Sequence, residues 1–376
     1  MAPWVAVLIA SIVFVGGRQV SPALPSSCGW TVDRQEGLET RANFLMRLSG
    51  TSGSNLWAVG AHFEGGKGTP LAQMWNGGFW RLVPVPSIGT SVSGLQDVVT
   101  ITADDAWAVG HARGTIPMIQ RWDGSEWRLV SPPVPGSGPT ELLGVTATSP
   151  SDVWAVGKTS SGPDYRTLIE RFDGTTWHVV PSPNVGLGDN VLRDVDALSP
   201  RDAWAVGWRI SGRRYQTLAA HWDGNVWRAV GTRNIGTGDN FLSGVVAVSA
   251  KDVWAVGWAS TGPDTSRTLI QHWNGSRWDV VDSPSPGSSA NSLFGVDARS
   301  GTNAWAVGSY SDESGAFRSL VERWDGSTWQ PVPSENTGSP ANLLSGVMTT
   351  AGSTVWAVGT RVDPSGAYRS LIERSC

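Results

Sequence analysis

The tetrapeptide Trp-Ala-Val-Gly occurs seven times in this chain of 376 residues, starting at Trp57, Trp107, Trp154, Trp204, Trp254, Trp305 and Trp356. The intervals are 50, 47, 50, 50, 51 and 51 residues. A near-constant period that fills a chain is the mark of stacked supersecondary units, none of which buries its apolar surface alone. Architecture is therefore constrained well before chemistry.

Residues 242–281 show the contents of one period. An apolar run, Leu242 to Val248, is followed by a polar turn ending at Asp252. Then come Val253-Trp-Ala-Val-Gly257, a loop of small and polar residues, the run Arg267 to Trp273, the turn Asn274 to Arg277, and Trp278 to Val281. These are four short β-type runs bounded by turn chemistry, with Gly and Pro too frequent for helices. Several runs are apolar on both faces, as sheets sandwiched between neighbouring sheets require. The first run is rich in small residues (Gly244, Val245, Ala247), which suits a strand crowded round an axis. The pattern predicts an all-β fold, a seven-bladed β-propeller of four-stranded antiparallel blades.

The third turn is the sharpest local signal. Trp or Phe, then Asp or Asn, then Gly, two residues and Trp recur at Trp75–Trp80, Trp122–Trp127, Phe172–Trp177, Trp222–Trp227, Trp273–Trp278 and Trp324–Trp329. Asp-Gly and Asn-Gly favour tight hairpins because both residues tolerate positive φ. A loop of two or of four residues has the same parity, so both aromatic residues fall on one face.

The second Trp of each hairpin precedes the Leu of the next first run by 15 residues, from Trp80–Leu95 to Trp329–Leu344, and Trp30 stands in the same relation to Leu45. Trp30-Thr-Val32 thus reads as a fourth strand without a blade before it. The last repeat stops at Ser370-Leu-Ile-Glu-Arg-Ser-Cys376 and lacks that strand, so the N-terminal strand is expected to complete the last blade. The two cysteines, Cys28 and Cys376, fall on either side of that closing turn. A Cys28–Cys376 disulfide is expected; the alternative is two separate thiols.

Residues 4–15 form an apolar run too short to span a bilayer comfortably. They fit a secretory signal peptide over 1–17, with cleavage after Gly17 or Ala23, although the basic leader is missing; the alternative is an uncleaved anchor. Residues 18–27 read as a linker and 28–376 as the propeller domain. A disulfide agrees with export to a secreted or cell-envelope location. Net charge is −4, and no basic stripe occurs, which argues against a nucleic-acid partner. At most peripheral membrane association and a monomer are expected.

The strand ending in Gly, the following loop and the acidic turn before Trp resemble kelch repeats, although one Gly rather than two closes the strand. The turn is also similar to the Asp-box of sialidase-type propellers, but Asp325 directly adjoins Gly326 and lies four residues before Trp329. Over residues 28–376 the chain resembles the Trp-Ala-Val-Gly propeller proteins of many bacteria. That resemblance implies the fold and carries over no catalytic residue.

No catalytic constellation stands out, and neither a metal site nor a cofactor is expected. His221 and His272 share a repeat position that other blades fill with Arg171 or Arg323. Asp152, Asp202 and Asp252 read as turn caps, and Glu170, Glu322 and Glu373 as partners in inter-strand charge pairs. Arg47, Arg193, Arg299, Asp97, Asp194 and Asp297 lie on first runs and read as solvated channel lining. Departures from the repeat are the candidates for binding. Trp208 and Trp258 follow the Gly only in the fourth and fifth repeats, beside Gly188-Asp189-Asn190 and Gly238-Asp239-Asn240. An exposed Trp beside Asp and Asn suits stacking on a sugar ring; the competing reading is that both indoles pack between blades and Gly-Asp-Asn is turn chemistry. The sequence therefore suggests a non-enzymatic binding propeller for carbohydrate or a cell-surface protein, with a glycan-active hydrolase or lyase working in the central channel as the alternative.

Overall fold

Each Val-Trp-Ala-Val-Gly run forms the second strand of a four-stranded antiparallel unit. In the computed structural model, residues 29–375 are described apart from 34, 36–41, 90–91, 114, 134–137, 161 and 337–339. They hold 28 strands and no helix. Five sheets have four strands each, one for each of repeats one to five. Repeats six and seven merge into an eight-stranded sheet through one parallel pair, Phe317 with Ala341. The architecture is that of a β-propeller.

Within a unit, the strands run in chain order from the innermost to the outermost. The innermost strand carries a bulge just after its leucine, seen in the fifth repeat between Leu242, paired with Gly257, and Gly244, paired with Val256. The bulge drives backbone against backbone, which explains the invariant last residue of the tetrapeptide. A Cβ at Gly257 would lie only 2.0 Å from the carbonyl oxygen of Phe241. Glycine is the residue that permits such close approach.

The seams between units are built from tryptophan. The hairpin aromatics pair across the turn as their parity requires, for example Trp122 and Trp127 at 6.0 Å between ring centroids. The tetrapeptide Trp of the preceding repeat, Trp57, packs against both, at 4.9 and 5.0 Å. The same trio recurs around the molecule. Trp356 of the last repeat packs against Trp75 and Trp80 of the first, at 5.0 and 5.6 Å. Each of these indoles buries roughly 200 Å², worth about 5 kcal/mol before entropy is counted.

Trp30–Val32 pairs antiparallel with Tyr368–Ser375, Trp30 opposite Ser375, and the Trp30 ring meets Trp305 at 5.9 Å. The innermost strand Ala341–Thr349 lies against Ala42–Ser52 of the first repeat. The expected signal peptide over 1–17, the linker over 18–27, Cys28 and Cys376 lie outside the described residues.

Two sequence readings need correction. Glu170 and Glu322 enter no charge pair: both are fully buried, and neither carboxyl has a hydrogen-bond partner among the described residues. Strand alternation turns each away from the arginine beside it, so Arg171 pairs instead with Asp152 at 2.6 Å. Asp152, Asp202 and Asp252 are accordingly partners of the third-strand side chains Arg171, His221 and His272 rather than simple caps. His221 and His272 meet Asp202 and Asp252 at 2.8 and 2.7 Å and stack on Trp204 and Trp254. The turns are capped by the preceding serines, as where Ser199 Oγ accepts the Arg201 amide.

Candidate functional site: the channel and its upper mouth

The second-to-third-strand loops and the connections between repeats share one face, here the upper face. The fourth repeat shows this: Asn190 at the start of the innermost strand pairs with Arg209 at the end of the second, and Arg209 pairs with Gln216 of the third.

Trp208 and Trp258 lie on this face, both half-buried. Trp258 stacks on Phe241, with centroids 4.3 Å apart and planes 23° from parallel. Phe241 contacts Tyr215 at 4.8 Å, and Tyr215 meets Trp208 edge-on at 5.0 Å. The two indoles thus end a continuous half-buried row of four aromatic rings spanning repeats four and five. Phe241 and Tyr215 were not singled out in the sequence; the available signal was Phe241 standing where neighbouring repeats have Val191 and Ser292.

The four polar candidates beside them hold loops. Asn190 is fully buried; its Oδ1 accepts the Val185 amide and its Nδ2 donates to the Gly188 carbonyl. Asn240 repeats this with Ile235 and Gly238. Asp189 Oδ1 accepts the Tyr165 amide at 2.7 Å, and Asp239 Oδ1 accepts the Tyr215 amide at 3.0 Å. Asp239 also borders a surface cavity of about 490 Å³, with Ile235, Thr261, Pro263 and Arg267 on its walls. In the adjoining repeat three, Lys158 pairs with Glu141 at 3.3 Å and sits 4.2 Å over the Tyr165 ring.

Deeper lies a cavity of about 300 Å³ to which all seven innermost strands contribute. Four aspartates line it. Asp97 accepts the Val98 amide and, across the seam, the Val145 amide, each at 2.8 Å. Asp194 does the same with Val195 and Val245, and Asp196 with Ala197 and Ala247. Asp297 accepts the Thr349 amide at 2.6 Å. These carboxylates stitch adjacent innermost strands together. Burial, then the nearby Asp194 charge, pushes Asp97 up to about 7 against the pull of Arg47 and the two amides. Burial also raises Asp194 and Asp297, and takes Asp196 to about 6.

Arg47 crosses this space. Its guanidinium donates to the carbonyls of Ser345, Ser243 (3.2 Å) and Phe294 (3.1 Å), and lies 4.0 Å from Asp194. One side chain of the first repeat is thereby tied to repeats five, six and seven. Among the described residues no group of three His, Cys, Asp or Glu is arranged to hold a metal ion.

No family model matches the chain. No curated protein matches it. Solved propeller structures do. YCF48 bound to D1 peptide is 16% identical with a TM-score of 0.57, covering 94% of this chain and 98% of its own. A protein of unknown function from Dyadobacter fermentans is 9% identical with a TM-score of 0.55, covering 92% and 97%. Sqt1 from Chaetomium thermophilum is 10% identical with a TM-score of 0.50, covering 91% and 85%. At such identities the likeness establishes the β-propeller fold alone.

Proposed function

We propose that this chain is a non-enzymatic binding propeller that holds a segment of another polypeptide across the upper mouth of its channel. In this reading the seven repeats are seven blades of a ring, closed by Trp30–Val32 as the outer strand of the last. The observation that carries it is the half-buried row Trp208, Tyr215, Phe241 and Trp258, an apolar strip fixed on strands rather than on mobile loops. Aromatic rings are favoured anchors of polypeptide interfaces. YCF48, a propeller of similar fold whose structure holds a bound peptide, is in keeping with that use of the architecture. A sugar is less well served, because Phe241 covers one face of Trp258. The hydrolase alternative is weakened by the channel aspartates, whose oxygens carry backbone amides.

The same reading takes the chain to be an exported monomer, with the apolar run 4–15 acting as its signal and Cys28 joined to Cys376. The test is selection of binders from a random peptide library, repeated with a Trp208→Ala/Trp258→Ala variant. We expect apolar peptides that the variant binds at least about tenfold more weakly. Equal binding by both proteins, or selection of no peptide at all, would defeat the proposal.

A further inference from the structure

Repeat five has a cavity at a place that repeat four fills. In both repeats the residue two positions after the tetrapeptide glycine faces the same point on the third strand: Arg209 opposite Gln216, and Ala259 opposite Arg267. The Arg209 guanidinium bonds the Gln216 side chain and lies 4.0 Å from where a Cβ on Gly186 would stand. It therefore spans the space between the third strand and the loop that enters its repeat. Gly236 is the counterpart of Gly186, each following a residue whose amide is held by the loop asparagine, Asn240 or Asn190. With Ala259 in place of the arginine, this space is open. Gly236 and Arg267 both stand on the walls of the surface cavity of about 490 Å³. That is the size of a small-ligand pocket.

The charge on its wall is uncommitted. Repeats three, six and seven also have an arginine at the position of Arg267, and each has a partner. Arg166 donates to the Leu187 carbonyl at 3.4 Å, Arg318 pairs with Asp312 at 2.8 Å, and Arg369 pairs with Asp363 at 2.9 Å. Arg267 makes no hydrogen bond, ion pair or ring contact with any described residue. On the loop side of the cavity, the amides of Gly236, Thr237 and Gly238 donate to no described residue either. Gly236 has a φ of 64°. Successive free amides in a left-handed turn of this kind form a concavity that attracts anions. Asp239 borders the same space, with Oδ1 held by the amide of Tyr215, a member of the aromatic row. Arg267 directly precedes Thr268, which pairs with Trp258 of that row. The cavity and the row are thus neighbours.

We propose that this cavity of repeat five binds a carboxylate of the ligand that lies along the aromatic row. A carboxylate matches the planar fork of the Arg267 guanidinium and has lone pairs left for backbone amides. A single negative charge suits the cavity better than the double charge of a phosphate, because Asp239 stands on its wall. The site itself rests on the cavity and its free donors; assigning the carboxylate to a polypeptide, as an acidic side chain or a chain terminus, rests on the function proposed above.

Amide NMR titration of the isotope-labelled full chain tests this with four probes: the α-amide of N-acetylglutamic acid, the α-amide of N-acetylglutamine, N-acetylalanine and inorganic phosphate. We expect a carboxylate probe to move the signals of Gly236, Thr237 and Gly238 to saturation, binding about tenfold or more tighter than the neutral glutamine probe. Arg267→Gln matches what repeat four has at this position and removes a side chain without a partner. It should abolish the preference at an unchanged urea midpoint. Tighter binding of the glutamate probe identifies an acidic side chain; tighter binding of N-acetylalanine identifies a chain terminus. Equal affinity for glutamate and glutamine probes, no saturable binding, phosphate binding tighter than either carboxylate, or a preference that survives Arg267→Gln overturns the site. Selected peptides that need Trp208 and Trp258 but bind the Arg267→Gln variant unchanged would refute this inference and leave the proposed function standing. A preference for the acid together with failure of the peptide selection would leave the site and remove only the polypeptide reading.

Discussion

At the scale of the residue, one position on the third strand shows how the repeat handles a buried polar group. Gln120 donates from Nε2 to the Pro86 carbonyl at 2.8 Å, and Gln271 both donates to the Arg233 carbonyl and accepts its amide, each at 3.0 Å. Repeats three and six place Glu170 and Glu322 there, fully buried and without a hydrogen-bond partner among the described residues. Burial pushes both up to about 8, so at neutral pH each is mostly a neutral acid, similar in shape to glutamine. Glu373 reaches about 7, raised by burial and opposed by the hydrogen bond from Ser334. A folded-state pKa above the unfolded value of 4.5 means that the folded state binds more protons between the two. The contribution of Glu170 and Glu322 is therefore complete below about pH 4.5 and is lost as pH rises through about 8. Glu170→Gln/Glu322→Gln should flatten this part of the pH profile and raise stability at pH 8 by about 2 kcal/mol per site. Urea denaturation at either end of that window checks it; a slope unchanged by the double substitution would count against neutral buried acids. In the sequence these glutamates suggested charge pairs because an arginine follows each. What the sequence did not reveal is which of the two alternating neighbours the seam covers.

At the scale of the element, the third-to-outer hairpin was the most legible piece of the chain. Its loop has four residues between the paired aromatics, as in Trp122 opposite Trp127. The Asp123 carboxylate accepts the amides of Ser125 and Glu126, while Gly124 adopts a φ of 91°. Hydrogen bonding to the ionised form holds Asp123 down at about 2. Side chains meet inside the turn as well. Ser125 Oγ lies 2.7 Å from Asp123 Oδ1, Thr175 Oγ1 2.6 Å from Asp173 Oδ1, and Ser327 Oγ 2.7 Å from Asp325 Oδ1. Trp30 opposite Ser375 repeats the register of Trp127 opposite Trp122. By sequence offset from Trp30 and Ser375, Cys28 stands where other repeats have the serine and Cys376 where they have the aspartate; both cysteines lie outside the described residues. That sequence offset is the ground of the proposed disulfide. Mass spectrometry of the intact protein should find two hydrogens fewer than in the reduced form. Reduction should lower stability by up to about 5 kcal/mol, the loop-entropy limit for so long a closed segment. Alkylation of both thiols without a reductant would exclude the bridge. The sequence left the loop length open because two and four residues share a parity; the aspartate's hydrogen bonds to both following amides favour four.

At the scale of the whole molecule, the period revealed the units but not what meets at the axis. Arg47 touches Ser243, Phe294 and Ser345, residues of three other repeats, and no local pattern announces such a convergence. Closure is a property of the same kind. In an open array each unit depends on its immediate neighbours, so damage to a terminal unit remains local. In a ring the seventh unit carries two seams, Trp305 with Trp30 on one side and Trp356 with Trp75 and Trp80 on the other. Weakening it should then weaken the whole. Trp30→Ala removes a buried indole from the first of these seams, a change that costs about 3–5 kcal/mol in a packed core. Trp329→Ala removes its counterpart, which packs against Trp254 in the middle of the chain. For a ring, the two variants should show one cooperative urea transition each, displaced by similar amounts. For an open array, Trp30→Ala should split off an early transition, with hydrogen exchange rising over Ala341–Ser375 while repeats one to five keep the wild-type midpoint. Exchange measured repeat by repeat through the transition separates the two, because only a ring transmits the loss of a terminal tryptophan to the tryptophan trios on its far side.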